Sequence, residues 1–284
     1  MIHSVVEGDG PPLVLIHGMA ASLKDWDTLI PVLTASGHRV WALDLPGHGD
    51  SHKPDDPAFY SDGGFLADFD AWLAGLPDKP PYILVGHSLG GYLSLRFALH
   101  NPHQVRALVL IDPLFSLRHV SSLLRWTERL PGLNSLNAFA IRRVPKIAIQ
   151  LILGLRPLNN DHLSAEGLLQ TAADYKRASP HMLRLMPSIA DLEPHLGRIS
   201  TPSLVIWGDH DVTLDPASFP RLVSALPNAQ GYPLHLSGHQ PHLGRPDLVN
   251  PLIAGFIRSQ MGTAVANTGE PAGRSPSLEG SDVC

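Results

Sequence analysis

The sequence predicts an α/β fold, a mostly parallel central sheet flanked by helices, with an inserted helical cap. Short runs of Leu, Ile and Val alternate with longer stretches of helical spacing, and each run stops at a Gly, Asp or Pro turn. The runs are continuously apolar and do not alternate with polar residues, which is the pattern of parallel strands covered on both faces. The rhythm breaks off over residues 114–200 and then resumes. An interruption of that length is better explained by an inserted subdomain than by a loop.

Taken in order, the strands are expected at residues 13–16 (LVLI), 39–43 (RVWAL), 83–85 (ILV), 108–111 (LVLI) and 204–207 (LVIW). Residues 65–76 (FLADFDAWLAGL), 89–100 (LGGYLSLRFALH) and 248–257 carry apolar side chains at helical spacing. Pro80 and Pro81 stop the first of these helical stretches and Pro102 stops the second, because the residue before a proline is driven out of the helical region. Between 114 and 200 the chain is rich in Leu, Arg and Ser, in helical stretches cut by Pro131, Pro145, Pro157, Pro180, Pro187 and Pro194. The expected organisation is therefore a core of residues 1–113 and 201–260 and a cap of residues 114–200. Residues 261–284 have almost no large apolar side chains and are expected to be a disordered tail. No internal repeat is present.

Composition narrows the function classes. A chain of 284 residues, 44% hydrophobic, can bury the core of one large domain with an insertion. Lys and Arg number 21 against 26 Asp and Glu, a formal charge of -5, so no global positive field exists to hold a nucleic-acid backbone. The single cysteine, Cys284, excludes an intrachain disulfide and a Cys-rich zinc site. Residues 1–10 lack the basic start and apolar core of a secretion signal, and no apolar run approaches the roughly 20 residues that span a bilayer. A cytoplasmic location is the expectation, and nothing in the sequence sets an oligomeric state.

The chemistry starts at Gly86-His87-Ser88-Leu89-Gly90-Gly91, directly after one expected strand and directly before a helix. A serine between small residues at such a junction can occupy a sharp, strained turn that exposes its hydroxyl above the sheet. A phosphate-binding turn is the weaker reading, because the P-loop lysine and the dinucleotide glycine spacing are both missing. A serine hydroxyl becomes a nucleophile when a base takes its proton and a third group orients that base. His239 follows the last strand and precedes the final helix, where a loop can carry it over Ser88; His242 is the alternative. For the acid, Asp211 lies deepest in the turn WGDHD after a strand, with Asp209 and Asp112 as competitors and turn capping as the bland reading of each. Oxyanion donors are expected from the backbone N–H of Leu89, after the nucleophile, and of Met19, in the loop after the first core strand.

Five ordered motifs, HGMAASLKDW (17–26), DLPGHGDS (44–51), GHSLGG (86–91), WGDHDVTLDP (207–216) and GHQPHLGRPDLVNPLIAGFI (238–257), make the chain resemble the α/β-hydrolase fold family in its capped, esterase-like branch. The resemblance covers nearly all of residues 3–258. It implies Ser88 as nucleophile, His239 as base, Asp211 as acid, and Met19 and Leu89 as oxyanion donors. Residues 44–51 would be a structural turn with no catalytic role. The chain departs from the family pattern in its short N-terminus, which leaves room for fewer than the usual eight strands, and in Gly244, where relatives often carry Glu. Haloalkane dehalogenases and epoxide hydrolases of this fold use an Asp nucleophile. Carbon-carbon bond hydrolases usually have Asn before the serine and Arg after the acid, where this chain has His87 and Val212.

The expected function is hydrolysis of a carboxylic ester of a lipophilic acyl substrate, a small molecule, through a Ser-His-Asp triad and an acyl-enzyme. The alternatives are a carbon-carbon bond hydrolase of the same fold and a non-catalytic ligand-binding protein. No metal and no cofactor are expected: there is no HExxH helix, and Pro241 disfavours helical pairing of His239 with His242. Residues 113–162 carry seven basic side chains against two acidic ones among many large aliphatics. Such a cap either packs apolar faces on the core with arginines in solvent, or forms an acyl lid with weak contact to an anionic membrane surface through Arg142, Arg143 and Lys146.

Overall fold

The computed structural model describes residues 1–121 and 163–262. Seven strands form one sheet: β1 (Ser4–Glu7), β2 (Pro12–Ile16), β3 (Arg39–Leu43), β4 (Tyr82–His87), β5 (Val105–Ile111), β6 (Ser203–Gly208) and β7 (Ala229–Leu234). Their order is β1-β3-β2-β4-β5-β6-β7; β1 runs antiparallel to β3 and every other pair is parallel. From β2 the chain turns one way to β3 and the other way to β4. The crevice above that reversal, at the carboxyl ends of the strands, is where open α/β sheets build their sites.

The continuous apolar runs are explained by two-sided burial. Leu13 and Leu15 of β2, Ile83 and Val85 of β4, and Leu204 and Ile206 of β6 face one layer, against α1 (Ile30–Ala35) and Val249, Ile253 and Ile257 of the last helix. Val14, Ile16, Leu84, Val205 and Trp207 face the other, against α2 (Ala67–Ala74) and α3 (Leu89–His100). Side chains along a strand point alternately to opposite faces, so an apolar residue at every position needs helices on both. The expected strands all lie within observed ones. The helical stretch at 65–76 begins as a π turn, Asp62–Leu66, before α2.

Of the expected cap, residues 122–162 lie outside the described residues, and with them Arg142, Arg143 and Lys146; so do residues 263–284 of the expected tail. The described remainder contains α4 (Ala165–Arg177) and three 3-10 turns, Leu117–His119, Met182–Ser188 and Glu193–Arg198. Met182, Leu185, Ile189, Leu192, Leu196 and Ile199 join the core layer that holds α3. The rest of the chain supplies α5 (Phe219–Ala225), α6 (Pro241–Gly244) and α7 (Pro246–Gly262). Among the described residues no helix is long and apolar enough to cross a membrane.

Candidate active site

Ser88 sits between the end of β4 and the start of α3 with φ 50° and ψ −111°, a left-handed backbone that a residue with a side chain adopts at a cost. The surroundings hold it there. Its N–H donates to the Ile111 carbonyl at 3.0 Å, and its carbonyl accepts from Tyr92 and Leu114 at 3.1 and 3.0 Å. The turn can close on β2 because residue 90 is glycine: a Cβ at Gly90 would lie 2.0 Å from the Ile16 carbonyl oxygen. The strain at Ser88 is thus paired with a helix packed directly onto the adjacent strand.

His239 and Asp211 come to the serine from the loops after β7 and β6. His239 Nε2 is 3.0 Å from Ser88 Oγ, and His239 Nδ1 is 2.6 Å from Asp211 Oδ2. An ionised carboxylate only accepts, so Nδ1 carries the proton and Nε2 offers its lone pair to the serine hydroxyl. The Asp211 side chain is fully buried and its other oxygen accepts the N–H groups of Thr213 and Leu214, at 2.7 and 3.0 Å. Both of its oxygens are therefore directed before any substrate arrives. The His239 carbonyl accepts from His87 Nε2 at 2.7 Å, which anchors the loop that carries the ring.

The competitors named from sequence are placed elsewhere or in a different state. Asp209 pairs with His235 at 2.7 Å at the surface. His242 is buried, 3.7 Å from Asp25, with its ring tilted against those of Trp26 and His87, and it is His239 that reaches the Ser88 hydroxyl. Asp112 directly follows β5, with φ 39°, and is fully buried. One of its oxygens accepts the Gly208 N–H at 3.1 Å; no N–H group reaches the other, and the carboxyl faces Asp211 in a group with His239 whose polar atoms are all within 4.8 Å of one another. Burial, reinforced by the charge of Asp211, holds the Asp112 carboxyl well above the usual carboxylate range, so it is neutral beside the Asp211 carboxylate.

The two expected oxyanion donors lie in segments that border Ser88, the start of α3 and the loop after β2. Leu89 is the first residue of α3, and the first N–H groups of a helix have no partner within it. The loop after β2 crosses Ser88 so closely that a Cβ at Gly18 would lie 3.2 Å from the serine Cβ and 2.7 Å from His87 Nδ1. Met19 follows directly. Sequence reasoning gave His87 no task in the site; the structure puts its ring between Gly18 and His239, and burial with neighbouring histidines pushes its pKa well down, so it is neutral.

Among the described residues three groups bring together residue types that bind metals; in one, His3, Asp44 and Asp50, the facing atoms of His3 and Asp44 are bonded to each other at 3.0 Å, and the other two lie beside His239. In the first of these two, Asp112, Asp211 and His239, the facing atoms of Asp211 and His239 are bonded to each other. In the second, Asp25, His87 and His242, the atoms are buried and without protein partners, yet His242 Nε2 and Asp25 Oδ2 are 3.7 Å apart. That is wider than the roughly 3.4 Å between two donors on a tetrahedral ion with bonds near 2.0–2.1 Å.

Comparison with known proteins agrees with this architecture. Residues 11–144 match the alpha/beta hydrolase fold family. The chain is 30% identical over 259 residues to a pimeloyl-[acyl-carrier protein] methyl ester esterase of Nitrosomonas europaea, covering 87% of this chain and 95% of that protein. It is 24% identical over 275 residues to a monoacylglycerol lipase of Bos taurus, covering 89% of this chain and 77% of that one. Among solved structures it superposes on a bromoperoxidase from Bacillus anthracis with a TM-score of 0.74 at 22% identity, covering 90% of this chain and 95% of that one. An enol-lactonase from Burkholderia xenovorans gives 0.73 at 21% identity, covering 90% and 96%. At such identities the structural likenesses speak to the fold alone, whereas the esterase relative matches along nearly its whole length. The chain belongs to the alpha/beta hydrolase fold family.

Proposed function

We propose that the protein hydrolyses carboxylic esters through an acyl-enzyme on Ser88. The observation that carries this reading is the line of contacts Ser88 Oγ, His239 and Asp211, at 3.0 and 2.6 Å, on a strained turn at the carboxyl edge of the sheet. The esterase and lipase relatives support ester chemistry.

In the first step the Ser88 oxygen attacks the ester carbonyl carbon while its proton passes to His239 Nε2. The imidazolium that forms is stabilised by the buried Asp211 carboxylate, and the carbonyl oxygen, now negative, takes the N–H groups of Met19 and Leu89. Each well-placed donor to such an oxyanion is worth about 3 to 4 kcal/mol in the transition state. Collapse of the tetrahedral species breaks the bond to the alkoxy oxygen, which takes the proton from His239 and leaves as an alcohol. Water then attacks the Ser88 ester with His239 again as base, and the carboxylic acid departs as Ser88 recovers its proton. No metal or organic cofactor enters any step.

The acyl part of the substrate is assigned as lipophilic. The support is the aliphatic sequence of residues 113–162 and the acyl substrates in the names of the relatives. Ser88→Ala is expected to keep the fold and lower ester turnover by on the order of 10⁶, because a triad without its nucleophile retains only binding and oxyanion stabilisation. The check is turnover of a p-nitrophenyl acyl ester beside fluorophosphonate labelling and a thermal melt. Wild-type turnover in a folded Ser88→Ala protein, or labelling of that variant, would remove Ser88 from the mechanism. A wild-type protein inert towards a panel of activated esters would favour a ligand-binding role.

A further inference from the structure

The turn DLPGHGDS, residues 44–51, has no part in the reaction above, yet its histidine reaches the site. His48 is fully buried. Its Nδ1–H donates to the Pro46 carbonyl at 3.0 Å, which leaves Nε2 as an acceptor, and the N–H of Ala20 donates to that nitrogen at 2.9 Å. Ala20 has φ 60°, a strained value for alanine that needs an external hold. The contact is answered from the other loop. The N–H of Leu45, in the segment that carries His48, donates to His17 Nε2 at 2.9 Å, and His17 Nδ1–H donates to the Gly18 carbonyl at 2.7 Å. The two rings meet edge to face, with centroids 5.0 Å apart.

These bonds act on Met19 from both sides. The Gly18 carbonyl and the Met19 N–H belong to one planar trans peptide, so they point in opposite directions. Fixing the carbonyl, through His17 and also through the Ala21 N–H at 3.4 Å, fixes the direction of the Met19 N–H. The next peptide, between Met19 and Ala20, is fixed by His48. Both peptide planes that meet at the Met19 Cα are thus set by a buried imidazole. The two imidazoles come from motifs that each accept a backbone N–H from the other's loop.

We propose that His48, paired with His17, is a positioning residue that presets the Met19 N–H for the oxyanion. The proposal rests on the reaction assigned above. Preset donors stabilise developing charge without reorganising when the reaction occurs, so their orientation is felt in the transition state more than in substrate binding. Burial, and then repulsion from His17, hold the His48 pKa at about 3, so Nε2 stays an unprotonated acceptor throughout the neutral range. A serine or lysine in its place would lack either the reach or the lone pair.

The test compares His48→Phe, which keeps a ring but no acceptor, with His48→Gln, whose amide oxygen extends to about the position of Nε2, and His48→Asn, whose shorter amide stops near Nδ1. kcat and KM for a p-nitrophenyl acyl ester are measured beside inhibition by a trifluoromethyl ketone, which forms a tetrahedral oxyanion on a serine. His48→Phe and His48→Asn are expected to lose about 10- to 100-fold in kcat with KM changed less than about threefold, and to lose inhibitor affinity by a similar factor. His48→Gln is expected to recover most of both. Equal kcat in the Gln and Asn variants, or a loss confined to KM or to the melting temperature, would overturn the proposal. Those two amide variants carry the comparison even if His48→Phe does not fold. Ser88→Ala, assayed alongside, separates the two levels: wild-type activity there defeats the reaction, whereas an inactive Ser88→Ala with a fully active His48→Asn defeats only the positioning role.

Discussion

The two carboxyl groups beside His239 are chemically alike but differ in state, and that difference is testable residue by residue. Asp211 receives two backbone N–H groups and the His239 ring, whereas Asp112 receives one backbone N–H and faces Asp211 with an oxygen that no protein donor reaches. Asp211→Asn is expected to lower kcat/KM by on the order of 10³ to 10⁴, because an amide favours the wrong tautomer of His239. Asp112→Asn is expected to stay within a few-fold of wild type, since a neutral amide can donate where a neutral carboxyl does. The reverse ranking in ester turnover would make Asp112 the acid. The same pair predicts a pH effect on stability. The Asp112 pKa is raised in the folded protein above its ordinary 3.8, so between those two values the folded state holds a proton that the unfolded chain releases. For an acid, this means that stability falls as pH rises, by up to about 1.4 kcal/mol per pH unit. Asp112→Asn removes that penalty, so its melting temperature is expected to gain on wild type as pH rises above the ordinary 3.8. A difference that does not change with pH would mean that Asp112 is ionised in the fold. At this scale the meeting of Ser88, His239 and Asp211 was legible in the sequence because each lies in the turn or loop that follows a strand, in the order of a known motif. The states of Asp112, His48 and His87 were not, because they depend on which buried groups meet across the tips of different strands.

At the level of elements, the central strands could be read because two-sided burial makes them continuously apolar. β7 could only be placed by position. Its sequence, AQGYPL, contains Gly231 and Pro233, and most of it is exposed at the edge of the sheet, where a strand needs neither alternation nor a full set of donors. The opening of the helix at 65–76 as a π turn over Asp62–Leu66 also left no signal, because Gly63 and Gly64 weaken helical spacing there. The junction of β4 and α3 shows how an element serves the site. Gly90 carries α3 against the Ile16 carbonyl, and this approach brings the start of the helix, with its unpartnered N–H groups, over the crevice. Gly90→Ala would drive a methyl into that carbonyl, with backbone on both sides and no flexible side chain to yield. The expected result is a loss of at least about 2 kcal/mol or failure to fold, read by a denaturant melt. If the variant folds with normal stability, the helix can shift away from β2 at little cost. In that case a fall in kcat without a fall in stability would report the displaced Leu89 N–H.

Across the whole molecule, the segment whose sequence suggests an acyl lid leaves the described structure beside the site and rejoins it just before α4. On one side Ser121 donates its N–H to the Thr213 carbonyl at 2.9 Å, next to Asp211. On the other, α4 is tied to the loop of Met19 by buried Asp174, which accepts from Ser22 Oγ at 2.9 Å and from Gln170 at 2.8 Å. Residues 122–162 are thus connected, at one end, to the loop that orients the base and, through α4, to the loop expected to donate to the oxyanion. If their aliphatic side chains bind the acyl chain of the substrate, binding energy from a part of the ester remote from the carbonyl can appear in kcat/KM. Each methylene buried in the transition state is worth up to about 0.8 kcal/mol, or about fourfold in rate. A series of p-nitrophenyl esters from acetyl upward is therefore expected to rise in kcat/KM with each added pair of carbons until the binding region is full, with acetate among the poorest. If those side chains are instead spent on packing the insertion onto the core, the site would be small and the shortest esters would lead. Because the series varies only the acyl chain, a flat or falling profile would remove the lipophilic substrate while leaving Ser88, His239 and Asp211 to be judged by their own variants.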